Sequence, residues 1–272
     1  MTTETAAGAT PNTAAGTAPD TAAGATPEIH ELDWTDLRHS LAAGWRDFRA
    51  APAYGLFFAL VYVIGGWLVL WALTARGQLW WTLPAAAGFP ILGPFIACGF
   101  YEVSRRRETG QPFGWGDILG VIFRQKDRQI PSIAAVSVVF FLFWNFLAHM
   151  IFALFLGYST MTNVSSSLAI FFTPEGMAML AFGSAVGAAF ATLFYSLMVV
   201  SLPLLLDREV DFVTAMLTSL ALVRANPTVM LGWGALIGAC LFLAMLPGFL
   251  GLFVVLPVFG HASWHLYRRA IA

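Results

Sequence analysis

Charged residues make up only 11% of this 272-residue chain, against roughly 25% in soluble domains, and that scarcity excludes an ordinary water-exposed surface. Cysteine is almost lacking as well. Cys98 and Cys240 both lie in apolar runs, so the chain has neither a disulfide framework nor a zinc-finger spacing. The net charge of −1 leaves no global field for nucleic acid, and only the placement of charge is informative. Walker, dinucleotide-binding and metalloprotease patterns are absent. "FGSAVG" (Phe182 to Gly187) sets a serine between glycines without the strand-to-helix setting of a hydrolase elbow. Residues 1–29 are mostly Thr, Ala, Gly and Pro in a near-repeat ("TAAGATP", "TAAGTAP", "TAAGATP"). They offer too little surface to bury and read as a disordered tail. With no basic start and no apolar centre, that tail is not a secretory signal.

What is present is apolar length. Hydrophobic residues reach 58%, and six segments approach the ~20 residues needed to cross a hydrocarbon core: about 53–74, 83–104, 132–156, 177–206, 228–246 and 249–266. The fourth is long enough to bend, and Pro203 is the natural place. The chain holds 14 Lys and Arg. Arg38, Arg46 and Arg49 precede the first segment; Arg105, Arg106, Arg107, Arg124, Lys126 and Arg128 lie between the second and third; Arg208 and Arg224 lie between the fourth and fifth; Arg268 and Arg269 follow the sixth. Only Arg76 falls on the other face. By the positive-inside rule both termini of the 30–272 membrane domain are cytoplasmic, in the inner membrane. Trp80, Trp81, Tyr158 and Phe171 would mark the outer interface.

The segments pair into three hairpins, each announced in the same way. "RAAP" (Arg49 to Pro52), "RQIP" (Arg128 to Pro131) and "RANP" (Arg224 to Pro227) put a cation at headgroup level and a proline in a first helical turn. Before each lies a short amphipathic segment opened by Asp36, Asp117 or Asp211, too short or too polar to span and suited to the cytoplasmic interface. The second and sixth segments, "LPAAAGFPILGPFIACGFYEVSRR" and "LPGFLGLFVVLPVFGHASWHLYRR", align without gaps and share Leu-Pro, a Gly, a Pro and Arg-Arg. The expected fold is therefore all-α and polytopic, with an internal repeat of interfacial helix plus transmembrane hairpin, run in parallel. Gly183, Gly187 and Ala191, and Gly234 and Gly238, provide small-residue faces for helix packing, which suits contacts within the chain better than a dimer seam.

That alignment sets His261 opposite Cys98 and His265 opposite Glu102. If the two helices touch, Cys-x-x-x-Glu and His-x-x-x-His could offer zinc or copper ligands. The bland alternative gives Glu102 to Arg106 as a local ion pair, His265 to an interfacial aromatic belt with Trp264 and Tyr267, and Cys98 to apolar packing. A shared haem is excluded, because His149 lies about 26 Å into the third segment and His261 about 10 Å into the sixth, at 1.5 Å per residue. Asn145 and His149 read as a polar pair bonded across helices or lining a small outer cavity.

"GFPILGPFIACGFYEVSRR" (Gly88 to Arg106), "SLPLLLDREVDFVTAM" (Ser201 to Met216) and the sixth segment resemble a family of predicted integral membrane proteins of proteobacteria that carries only a domain-of-unknown-function label. The resemblance covers about Trp34 to Arg269 and implies no catalytic or cofactor residue. Members are sometimes labelled as like cytochrome c oxidase subunit I, which has about twice as many spans and far more metal-holding histidines. The label implies at most a place beside such a complex. The leading expectation is thus a non-enzymatic accessory, scaffold or assembly protein that contacts lipid and a membrane-protein partner. The alternatives are a small channel or carrier, with Pro84, Pro90, Pro94 and Pro257 opening helices onto a path, and a metal-binding membrane protein.

Overall fold

A computed structural model describes residues 28–76, 82–125, 127–157 and 168–271. Most of the expected tail, Lys126, Trp80, Trp81, Tyr158 and most of the long outer loop lie outside the described residues. The described chain is helical: α1 (Trp34–Ala50), α2 (Pro52–Arg76), α3 (Thr82–Glu108), α4 (Trp115–Gln125), α5 (Ile130–Leu156), a short 3-10 turn (Leu168–Phe172), α6 (Pro174–Met198), α7 (Ser201–Asp207), α8 (Phe212–Ala225), α9 (Pro227–Met245) and α10 (Leu252–Ala270). Ile29 and Ile271 form an isolated antiparallel bridge, so the two described ends lie side by side.

The short helices start by capping. The Asp33 carboxylate accepts the amides of Thr35 at 2.7 Å and Asp36 at 2.9 Å, and Asp36 returns the favour to the Asp33 amide at 3.0 Å. Asp211 caps α8 in the same way, accepting from Val213 and Thr214, while Asp117 takes the Gly114 amide at 2.9 Å. The aspartates that mark the three segments therefore occupy different positions: Asp36 and Asp117 sit three residues in, and Asp211 is the cap itself. Bonds to the charged carboxylate lower both pKa values, that of Asp33 through the Asp36 amide first and that of Asp211 through the Thr214 hydroxyl first and then its amide.

One residue joins α1 to α2 and α8 to α9. Ala51 (φ −138°, ψ 54°) and Asn226 (φ −126°, ψ 54°) adopt nearly the same bend, after which Pro52 and Pro227 begin the long helices. Proline suits that first turn because its missing N–H would have had no helical partner.

Among the described residues four helices are long and apolar enough to cross a membrane: Pro52–Trp71 within α2, Ile130–Leu156, Pro174–Asp207 across α6 and α7, and Pro227–Met245. The sequence suggested six. α10 falls short by composition, carrying His261, Trp264, His265, Tyr267, Arg268 and Arg269 in its second half, whereas α3, which ends in Glu102 and Arg105 to Arg107, is described in full only from Leu92, too short a stretch to count. Both run as continuous helices, α3 through Pro90 and Pro94 and α10 through Pro257, so these prolines open no helix. Pro203 does act. It cannot donate to the carbonyl of Val199, and the helix breaks at Val199 and Val200, where the Val200 amide turns to Ser219 Oγ at 3.3 Å.

The core gathers where α1, α4, α7 and α8 meet the ends of α3 and α10. Trp233, Trp264, Tyr267, Ile118, Leu204 and Leu222 are among the largest fully buried side chains, and each such burial against water contributes ~1.5–3 kcal/mol. α1 crosses α10 at Gly44, where a Cβ would stand 2.5 Å from the Val258 carbonyl oxygen and 2.6 Å from the Ala262 nitrogen. Three of the small residues of α6 and α9 pack within the chain, Gly187 facing Trp144, Gly183 facing Ile151 and Gly234 facing Tyr195, whereas a Cβ on Gly238 would meet nothing within 4 Å. The α9–α10 turn places Phe249 at φ 67°. That left-handed conformation is unfavourable for a residue with a Cβ, and it brings the Phe249 ring onto Gly66 while Gly248 accepts from Trp67 Nε1 at 2.7 Å.

Candidate functional site

The buried polar chemistry concentrates at one end of the bundle, where α1, α3 and α10 converge. Asp47 is its hub. The buried stripe of α1 runs Leu37, Ser40, Gly44, Asp47, which places a carboxylate on the face turned to the core. Arg107 Nε donates to Asp47 Oδ1 at 2.8 Å and His265 Nε2–H to Asp47 Oδ2 at 2.7 Å. Burial would raise the Asp47 pKa, but hydrogen bonds from His265, Arg107 and Ser104 outweigh it and hold it at about 2.

His261 continues this network inward. Its Nδ1 lies 3.1 Å from the Phe100 carbonyl oxygen and 2.9 Å from Ser104 Oγ. A carbonyl only accepts, so Nδ1 carries the proton, and the buried Nε2 has no partner. Serine, histidine and aspartate thus meet without forming a hydrolytic triad. The imidazole nitrogen facing Ser104 is a donor rather than a base, Asp47 orients His265 instead of His261, and Ser104 is fully buried.

Around this hub the remaining acids are neutralised. Glu102, fully buried, accepts from Arg105 Nε at 2.8 Å and Arg106 Nε at 2.6 Å. Arg106 Nη1 also lies 3.4 Å from Asp117 Oδ1. Glu108 accepts from Trp264 Nε1 at 3.0 Å, and Tyr267 donates to Asp207 Oδ2 at 2.7 Å. Arg268 reaches both of those acids, and Arg269 pairs with Asp36. Asn226 ties the segment before α1 to the α8–α9 junction, accepting the Leu32 amide at 2.7 Å and donating to the His30 carbonyl at 3.1 Å.

The four sequence-derived ligand candidates are not gathered as a set. α3 and α10 do touch, as that idea required, but α3 presents Phe100 and Ser104 to His261. At 100° per residue, Cys98 and Glu102 lie about 200° around the helix from those two positions. Cys98 is packed in the apolar core, Glu102 is taken by two arginines, and His265 is taken by Asp47. Among the described residues no group of three or more His, Cys, Asp or Glu side chains is placed to hold a metal ion. Asn145 and His149 do not bridge helices either. Asn145 donates to the Phe141 carbonyl and His149 Nδ1–H to the Asn145 carbonyl, both in their own helix.

Sequence reasoning missed Asp47, Ser104 and Asn226. The signal for Asp47 was present, as a carboxylate in the i, i+3, i+7, i+10 apolar stripe of α1. Ser104 and Asn226 gave none, because their roles depend on helices far away in the chain.

The second recognisable surface is the α5–α6 hairpin. Its apolar groove of about 460 Å³ is lined by Phe140, Phe141, Trp144, Phe190 and Phe194 above Ser137 and Gly187. Exposed Val139, Phe143, Phe146 and Leu154 run along the outside of α5.

Residues 82–207 match the family model described as "Predicted integral membrane protein (DUF2189)". This is the uncharacterised membrane family that the sequence resembles, and the match joins α3 through α7. No curated protein and no solved structure matches the chain.

Proposed function

We propose, for a chain whose residues 82–207 carry the signature of a membrane family of unknown function, a six-span inner-membrane protein that acts without catalysis to hold or help assemble a membrane-protein partner. Both ends face the cytoplasm, and α1, α4 and α8 lie at the cytoplasmic interface, each introducing a hairpin of a threefold internal repeat. The pairing of Ile29 with Ile271 supports ends on a common side. The matched bends at Ala51 and Asn226 support kinship of the first and third units.

The partner reading is carried by one observation. The apolar window of α5 is only 6% buried, against 28%, 39% and 22% for the other three long apolar helices. Helices in lipid associate through shape and close packing rather than through the hydrophobic effect. The groove between α5 and α6 supplies such a shape, while the polar hub is consumed by structural bonds. A channel has less support, since α3 and α10 are continuous through their prolines and this groove is apolar.

The test is a photo-crosslinking amino acid at Phe146, exposed at 65%, in the full chain in native membranes. A discrete protein adduct, absent when the probe replaces buried Ile133, is the expected result. Adducts to lipid alone would overturn the partner reading.

A further inference from the structure

The cations of the crowded face divide into two groups. Arg105, Arg106, Arg107, Arg128, Arg268 and Arg269 all form ion pairs within the protein. Arg38, Arg46, Arg49, Arg124, Arg208 and Arg224 form none among the described residues. The fold has therefore matched the arginines at the ends of α3 and α10 with acids. It leaves unmatched those of the short helices and the α7–α8 link.

Position adds to charge. Arg49, Arg124 and Arg224 each stand in the last turn of a short helix, with a one-residue bend leading to α2 or α9 for the first and third and a four-residue link leading to α5 for the second. The same helices expose large apolar side chains beside them. On α1, Trp34, Arg38, Trp45 and Arg49 are exposed at helical spacing; on α4, exposed Phe123 adjoins Arg124, while Trp115 at the far end packs on Tyr54 and Phe57; on α8, Val213 and Leu217 lead to Arg224. A face that mixes exposed tryptophan with unpaired arginine matches the boundary between phosphate and acyl chain.

We infer that the exposed faces of α1, α4 and α8 form a belt that binds the headgroups of anionic phospholipid, with Arg49, Arg124 and Arg224 as its cationic anchors. Charge complementarity commits the face to lipid phosphate. Of the acids that form no ion pair among the described residues, Glu28, Glu31 and Asp33 lie at or before the far end of α1 and Asp211 caps the far end of α8, which leaves Asp127, after α4, as the one close in sequence to an anchor. The inference rests on the membrane placement proposed above but not on any protein partner. The paired arginines hold the fold together, and the unpaired ones select the lipid.

The experiment is native mass spectrometry of the full chain purified in detergent and titrated with phosphatidylglycerol or phosphatidylcholine. The intact protein should retain phosphatidylglycerol in preference to phosphatidylcholine, and the Arg49→Gln, Arg124→Gln, Arg224→Gln variant should lose that preference, by about fivefold per arginine. Arg128→Gln, which removes a cation already paired with exposed Glu209, should leave it unchanged. Equal retention of the two lipids would overturn the inference, as would an unchanged triple variant or equal loss in Arg128→Gln. Inorganic phosphate that competes as well as the lipid would show a simple anion site, and an acidic peptide that displaces the lipid at equal concentration would show a protein-binding face. Either result would also overturn it. Absence of a crosslinked partner at Phe146 would not change these outcomes, so the two readings fail separately.

Discussion

Asp47 on α1 and His265 on α10, 218 residues apart in the chain, meet at 2.7 Å. Arg107 on α3 holds the other carboxylate oxygen. This contact locks an amphipathic surface helix to two helices of the bundle, and most of the stability consequences follow from it.

Replacing Asp47 with Asn removes the negative charge and sets an NH2 donor against either Arg107 or His265, so that only one of them keeps an acceptor oxygen. Arg107 is partly solvated, at 33% side-chain exposure, so the loss is discounted from the ~3–5 kcal/mol of a fully buried pair to about 2 kcal/mol. Thermal unfolding in detergent should show a lower midpoint. Asp47→Glu should fall between the two proteins, because it keeps the charge and shifts its position.

Acid should reproduce that effect. The Asp47 pKa is about 2 in the folded protein and about 3.8 unfolded. The stabilisation from a lowered carboxylate is complete above its unfolded value and is lost as pH falls through the folded one. Stability measured by denaturant titration should therefore drop between about pH 4 and pH 2 by about 2 kcal/mol more in the natural protein than in Asp47→Asn. Parallel curves for the two would contradict the assignment.

Gly44→Ala should destabilise the docking of α1. The added methyl meets backbone of Val258 and Ala262 within 2.6 Å, and backbone cannot rotate away as a side chain can. A loss of ~1–3 kcal/mol is expected, together with faster protease cleavage within residues 34–50. Gly238→Ala is the control, since nothing lies within 4 Å of its added carbon.

Elemental analysis of the purified protein tests the metal reading. Zinc and copper content should be the same in the natural protein and in Cys98→Ala, because Cys98 faces away from His261. One equivalent lost with Cys98 would restore that site.

Much of the helical plan is legible in the sequence because hydropathy and capping are local. The Arg-x-x-Pro junctions fall where Pro52, Pro131 and Pro227 begin or nearly begin long helices, and Pro203 breaks the helix one turn before itself. The pairing of Glu102 with Arg106 is legible for the same reason, being one turn long. Rotation about the helix axis is not local. Gap-free alignment of α10 on α3 put His261 level with Cys98, yet packing sets it against Phe100 and Ser104, on another face. Likewise, counting cations gives the crowded side but cannot separate Arg107, bound to Asp47, from Arg49, bound to nothing among the described residues.

In the proposed six-span arrangement α3 and α10 cross the membrane together with α2, α5, α6–α7 and α9, which brings both ends to the arginine-rich side. Periplasm-dependent phosphatase fusions after Arg76, after Gly110 and at Ile271 measure this directly. The account predicts activity only after Arg76. Activity after Gly110 or at Ile271 would contradict it.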